Sequence, residues 1–240
     1  MKLIICENYD EVMKQAAVIV VDVIKTKPQC ILGLPTGSTP IGLYNNLVAE
    51  YESGNLDFSQ VKTFNLDEYY PISPENDQSY RYFMNKHLFT RININMNNTR
   101  VPDGSAEDAA AECQDYEKAI DMSGGIDLQI LGIGNNGHIG FNEPDKNLQA
   151  YTHMTSLTDN TIEANARFFA SADDVPRKAL TMGMASIMKA DKILMLITGK
   201  AKHDALMTLL SDNITTDVPA SLLKLHKDVT IICDKASYEA

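Results

Sequence analysis

Positive charge is in short supply: 21 lysines and arginines stand against 32 aspartates and glutamates, a formal net charge of −11 over 240 residues. That balance excludes nucleic acid as a partner, because a phosphate backbone needs a basic patch. No polybasic run offers a membrane surface a hold. Long hydrophobic runs are missing as well. The longest, such as Ile193 to Ile197, are strand-sized, far below the about 20 residues that a helix needs to cross a bilayer. Met1 to Cys6 runs directly into Glu7, Asp10 and Glu11 without a small-residue cleavage site, so no signal peptide is read and the cytoplasm is the expected compartment. Cysteine is sparse too. Cys6, Cys30, Cys113 and Cys233 lie far apart, with no CxxC pair and no histidine at zinc-finger spacing. They read as reduced thiols that serve as small buried hydrophobes. An acidic chain can still bind an anion, provided that a few cations and backbone N–H groups gather locally.

What is present is ordinary in bulk and ordered in pattern. With 44% apolar and 22% charged residues the chain can build one complete core. Leu3 to Cys6 reads as a strand. Asn8, with Glu11 three residues on, opens a helix bearing Val12, Ala16, Ile19 and Val23 on one face. Cys30 to Leu34 is the next strand, after which Thr39 is expected to cap a helix with Pro40 in its first position. Val61 to Leu66 reads as a third strand, and Ser79 to Phe89 and Ser105 to Asp121 as helices. Ile126 to Ile133, Lys192 to Thr198 and Val229 to Cys233 complete the strands, the first two as near-continuous apolar runs of the kind buried on both faces. This alternation predicts an α/β fold with a mainly parallel sheet, helices on both faces and a single domain over 1–240. The stretch 145–178 is the least regular and reads equally as a lid or a plain surface excursion. In such sheets ligands bind beyond the carboxyl ends of the strands, so the loops after strands matter most.

Three loops stand out. In Gly33 to Pro40 (GLPTGSTP), Gly37, Ser38 and Thr39 offer backbone N–H groups and hydroxyls at a helix start, a geometry suited to phosphate. The loop has neither the Gly-Lys-Ser/Thr ending of a P-loop nor GxGxxG, and a capped βα turn without a ligand explains it equally well. In Phe64 to Tyr69 (FNLDEY) an apolar strand ends in Asp67 and Glu68. Asp67 is placed for a general base, while the plainer reading has it cap a turn with Glu68 solvated. The loop Leu131 to Pro144 (LGIGNNGHIGFNEP) brings glycines, His138 and Glu143 together after a buried strand. A histidine in such company favours function, with Glu143 able to fix its tautomer. Arg167 and Lys202 are candidates to neutralise an anion, and Lys200 competes with Lys202.

These blocks, with QSYRYFM at 78–84, ANARFF at 164–169, ALTMG at 179–183 and Gly199 to Lys202, make the chain resemble the glucosamine-6-phosphate deaminase family over nearly its whole length. The resemblance implies a Rossmann-like three-layer α/β/α sandwich and an isomerising deaminase of the hydrolase class, acting on a sugar phosphate without metal or cofactor. It implies that Asp67 moves a proton between C2 and C1 of the opened sugar. His138, with Glu143 and Asn136, would open the ring. Gly37, Ser38, Thr39, Arg167 and Lys202 would hold the phosphate. A 6-phosphogluconolactonase-like hydrolase shares the fold and an Asn-Gly-His loop, but as far as its pattern goes lacks FNLDEY and the Phe-Asn-Glu-Pro continuation. A non-catalytic sugar-phosphate sensor would have no use for Asp67. Self-association is left open.

The resemblance also bears on regulation. Long, hexameric members carry an activator site built from the segment after Phe-Asn-Glu-Pro and from a C-terminal extension. Here His153 and Thr155 stand where those members place a basic pair, and the chain ends at Ala240 soon after its last strand. An effector needs a second site that discriminates between two states. Saturation curves with and without N-acetylglucosamine 6-phosphate are therefore expected to coincide, and a sigmoidal curve turned hyperbolic by that compound would refute the expectation.

Overall fold

The computed structural model describes residues 1–158, Ile162 and 175–240. Among them, β1 (Lys2–Cys6), β2 (Ile31–Leu34), β3 (Lys62–Asn65), β5 (Thr99–Arg100), β6 (Leu128–Leu131), β9 (Lys192–Ile197) and β10 (Val229–Asp234) form one sheet. Its order is β1-β10-β9-β6-β2-β3-β5, and every pair is parallel. β2 and β6 are buried at every position, and β9 at all but its first. Such strands must be covered on both faces. α1 (Tyr9–Thr26), α2 (Ile41–Glu52) and α3 (Tyr80–His87) cover one face, bringing Val12, Leu47 and Met84 into one core with Leu32 and Ile130. α4 (Ala109–Ser123), α5 (Met184–Met188) and α6 (His203–Leu210) cover the other, where Tyr116, Ile187 and Leu206 join Phe64, Leu131 and Ile231. The result is the three-layer α/β/α sandwich that the sequence leads one to expect.

The strand order reverses between β2 and β6. From β2 the chain proceeds outward to β3, whereas from β6 it proceeds the other way to β9 and β10. A crevice opens at such a switch point beyond the carboxyl ends of the two strands. Two of the singled-out loops, those after β2 and β6, flank it.

Several local expectations need correction. Asn8 caps α1 as expected, its side chain accepting from Glu11 N at 3.1 Å, but Glu11 reaches back past Asn8 to Glu7 N, one residue beyond the partner of a capping box. α2 starts at Ile41, and neither Thr39 nor Pro40 supplies a side-chain cap. The Tyr9 hydroxyl does that work from α1, donating to Thr39 O and accepting from Gly42 N, both at 2.9 Å. α4 starts at Ala109 under an Asp108 cap, while Ser105 bonds the Asp103 side chain in the preceding turn.

The third strand stops at Asn65. Leu66 then hands the chain over: its N–H donates to Leu34 O (3.1 Å) in the parallel sheet, and its carbonyl accepts from Met182 N at 2.8 Å. Asp67 is the first residue of β4 (Asp67–Tyr70), which pairs antiparallel with β8 (Lys178–Thr181), itself antiparallel to β7 (His153–Ser156). Strands therefore occupy part of the stretch expected to be irregular. The exposure of β7 alternates over His-Met-Thr-Ser, which carries no apolar run to betray it. Residues 159–161 and 163–174 of that stretch lie outside the described residues.

Between β8 and α5 the chain passes Gly183 against the backbone of residues 149–150. Met184 N donates to Gln149 O at 2.9 Å and Ala185 N to Ala150 O at 2.8 Å, so carbonyls fill the start of α5. A Cβ on Gly183 would lie 2.6 Å from Ala150 O, a backbone atom with nowhere to retreat. Gly183→Ala is expected to lower stability by about 1–3 kcal/mol, the usual range for overpacking. Urea unfolding at neutral pH measures it, and an unchanged midpoint would contradict this packing.

Candidate active site

The crevice holds a cavity of about 510 Å³, a size common for small-molecule sites. The loop after β2, the Leu66–Asp67 junction, the loop after β6, Tyr80 and Lys202 line it. Gly37, Ser38 and Thr39 line it just ahead of the first turn of α2, with Gly37 in a left-handed conformation at φ 99°. Their loop is anchored from below by Tyr44, whose hydroxyl donates to Pro35 O at 2.5 Å. Lys202 lines the same cavity from the 3-10 turn Lys200–Lys202 that leads into α6. It is partly buried, desolvation lowers its pKa, and among the described residues no carboxylate pairs with it. Lys200 is exposed and does not line the cavity. The turn itself is held by Asp234. Both of its carboxylate oxygens accept from Gly199 N at 3.0 Å, and Oδ1 also accepts from Ser237 N at 2.8 Å.

Asp67 is 7% exposed and sits in the cavity wall, paired with Thr181 rather than capping a turn. Burial pushes its pKa up to about 8, with the negative charge of Glu68 adding to the rise. Among the described residues no cation offsets it. Glu68 is not solvated either. It is 1% exposed and accepts from Tyr69 N (2.9 Å), Tyr80 N (2.8 Å) and Arg81 N (2.9 Å). Burial raises its pKa, against the pull of those N–H groups and of the Arg81 charge.

His138, Glu143 and Asn136 come together in the loop after β6. His138 Nδ1 lies 3.2 Å from Glu143 Oε1, close enough for attraction but too oblique for a straight hydrogen bond. Asn136 Nδ2 donates to Glu143 Oε2 at 2.7 Å, and Asn136 Oδ1 accepts from His138 N at 3.2 Å. Gly134 makes this possible, because the imidazole occupies the space that a Cβ would take there. Its N–H donates to His138 O at 2.9 Å, closing the turn.

Arg167 lies outside the described residues. Among the described residues no group of three or more histidine, cysteine, aspartate or glutamate side chains is gathered to hold a metal ion. Sequence reasoning gave no part to Tyr80, Glu68, Tyr44 or Asp234. Tyr80 lines the cavity, its ring stacked on Phe141 (6.3 Å between centroids, 7° between planes) and 4.8 Å from the Tyr69 ring. Ser79 before an apolar-periodic run marks a helix start at Tyr80, but nothing local says where that ring points. Asp234 was detectable as a cap between a strand and a helix; its hold on Gly199 was not.

Residues 7–232 match the family model described as glucosamine-6-phosphate isomerases/6-phosphogluconolactonase. A glucosamine-6-phosphate deaminase of Thermoanaerobacter pseudethanolicus is 56% identical over 235 residues, covering 98% of this chain and 93% of that protein. One of Halothermothrix orenii is 55% identical, covering 98% of both. A solved structure described as a monomeric glucosamine-6-phosphate deaminase superposes with a TM-score of 0.96 at 46% identity, covering 99% of this chain and 98% of its own.

The burial of Asp67 has a thermodynamic consequence. A carboxyl whose pKa is higher in the folded than in the unfolded chain binds its proton more tightly when folded, so raising the pH from about 4 to about 8 removes stability. Asp67→Asn is expected to be more stable than the wild type at pH 8 and to converge with it near pH 4, the gain levelling off above about pH 8. Denaturant titrations across that range test it. A variant no more stable than the wild type at pH 8 would contradict the burial argument.

Proposed function

Because the chain belongs to the glucosamine-6-phosphate isomerase/6-phosphogluconolactonase family, we propose that it converts glucosamine 6-phosphate and water into fructose 6-phosphate and ammonia. The observation that supports this most is the position of Asp67, a buried carboxyl sharing one cavity with His138, Glu143 and Lys202. A general base works best with a pKa near the working pH, and burial brings Asp67 into that range. The substrate's own ammonium at C2 then favours the ionised carboxylate beside it.

The steps follow in order. His138, steadied by Glu143 and Asn136, takes the proton of the anomeric hydroxyl and returns one to the ring oxygen, so the C1–O5 bond breaks and C1 becomes an aldehyde. Asp67 removes the C2 proton, made acidic by that carbonyl, and the electron pair moves to the C1 oxygen, which takes up a proton given by the ammonium, leaving an enediol-like species with a neutral amine on C2. Return of the proton to C1 makes C2 an imine carbon. Water adds there and ammonia leaves, which is the sense in which the reaction is hydrolytic. The Gly37–Thr39 backbone, the Ser38 and Thr39 hydroxyls, Lys202 and Arg167 hold the phosphate, which keeps C1 and C2 within reach of Asp67. A cytoplasmic setting suits a phosphorylated substrate, and it agrees with four buried cysteines that carry free thiols. No helix among the described residues is long and apolar enough to cross a membrane.

The test is to follow ammonia and fructose 6-phosphate from EDTA-treated protein given glucosamine 6-phosphate. Both products are expected in equal amounts, and Lys202→Ala is expected to raise KM more than it lowers kcat. Glucosamine without its phosphate should be a very poor substrate. Hydrolysis of 6-phosphogluconolactone with no ammonia from the amino sugar would overturn the proposal, and equal use of both amino sugars would remove the phosphate site from it.

A further inference from the structure

A closed circuit of contacts surrounds Asp67. Asp67 pairs with Thr181 across β4 and β8. Thr181 Oγ1 accepts from Phe141 N at 3.1 Å, and Phe141 lies in the loop between His138 and Glu143. The Phe141 ring stacks on Tyr80, and the Tyr80 N–H donates to Glu68, the neighbour of Asp67 on β4. Glu68 is the member that closes the circuit, and the catalytic proposal gives it no part. We infer that Glu68 is a positioning residue for this reaction, holding Tyr80 in the cavity wall and keeping a negative charge beside Asp67.

The start of α3 shows how the hold works. Its first two N–H groups, from Tyr80 and Arg81, donate to Glu68, and the third, from Tyr82, donates to Ser79 Oγ at 3.0 Å. A helix start favours an ionised carboxylate. If capping were the only need, Ser79 and water or a neutral acceptor would meet it at less cost than burying a carboxylate next to another. Burial holds the pKa of Glu68 up to about 7, so its charge is present above that pH, and the nearest reacting group it can act on is Asp67, whose proton affinity it raises. Among the described residues, the other titratable groups facing Asp67 are Tyr44 from α2, Tyr80 from α3 and Tyr116 from α4. His138, Glu143 and Lys202 share its cavity. Arg81 and the Tyr69–Tyr80 pair face Glu68.

This inference rests on Asp67 being the base, and the experiment separates the two. The acid limb of the pH profile of kcat/KM reports the base in the free enzyme. In Glu68→Gln that limb is expected to move to lower pH by about half a unit or more, because a like charge is gone. Glu68→Asp keeps the charge but shortens the reach to α3, so its limb should stay near that of the wild type while KM rises through a loosened Tyr80. A folded Glu68→Gln with an unmoved limb, or a Glu68→Asp limb that moves as far as that of Glu68→Gln, overturns the inference. If neither variant folds, a ¹³C NMR titration of the wild-type side-chain carboxyls decides. Two linked steps shared by Asp67 and Glu68 support it, and two independent single-step curves overturn it. Asp67→Asn is the control: full activity there removes the base itself, whatever Glu68 does, whereas an inactive Asp67→Asn with an unmoved Glu68→Gln limb removes only the role of Glu68.

Discussion

The desolvation of the Asp67 carboxyl is the constraint around which the site is arranged. Taking a carboxylate out of water without a cation beside it is costly, and the group answers by holding its proton to higher pH. The fold meets this cost at a seam. Leu66 belongs by its hydrogen bonds to both sheets, and Asp67 is the first residue beyond it. On the far side of the seam, β8 fixes the strand that carries Asp67 and, through Thr181, the loop that carries His138 and Glu143. Two groups proposed for successive proton transfers thus share one rigid support, though 71 residues separate them in sequence. A site that borrows stability to hold an unfavourable group in place is a familiar trade between stability and activity.

The charge distribution serves the same end. A chain of net charge −11 repels anions as a whole, so the proposed binding of a sugar phosphate falls to local features. Lys202 is the clearest of these, a partly buried cation with no carboxylate partner among the described residues, carried on a turn that Asp234 pins through Gly199. The backbone around Gly37 lines the same cavity. An anion anchored there leaves the other end of a six-carbon sugar near Asp67 and His138, and that separation of binding from chemistry is what lets a modest pocket position a proton transfer.

Much of this was legible in the sequence where the signal is local. The apolar runs of β2, β6 and β9 and the cap at Asn8 announced an α/β sandwich, and glycines around His138 and Glu143 marked the loop that the fold brings to the cavity. What was not legible depends on distant partners. β4, β7 and β8 are four-residue strands with too few apolar positions to show a period. Tyr9 caps α2 from another helix, which no spacing within α2 could reveal. Glu68 looked like a solvated acid beside a functional one, because its partners at Tyr80 and Arg81 lie a dozen residues on, across a turn. That Lys202 lines the cavity and Lys200 does not depends on the pitch of a short helical turn that sequence alone does not fix.

The central claim is that a hydrogen leaves C2 of the sugar and that Asp67 carries it towards C1. Glucosamine 6-phosphate bearing deuterium at C2 tests this most directly, with the fructose 6-phosphate product examined by NMR. The account predicts that the label retained in the product sits at C1 in a single stereochemical position, the rest having exchanged with water, and that Asp67→Asn releases deuterium from C2 far more slowly than the wild type. A product that carries its deuterium at C1 equally in both stereochemical positions, or an Asp67→Asn variant that releases the deuterium from C2 at the wild-type rate, would contradict the account.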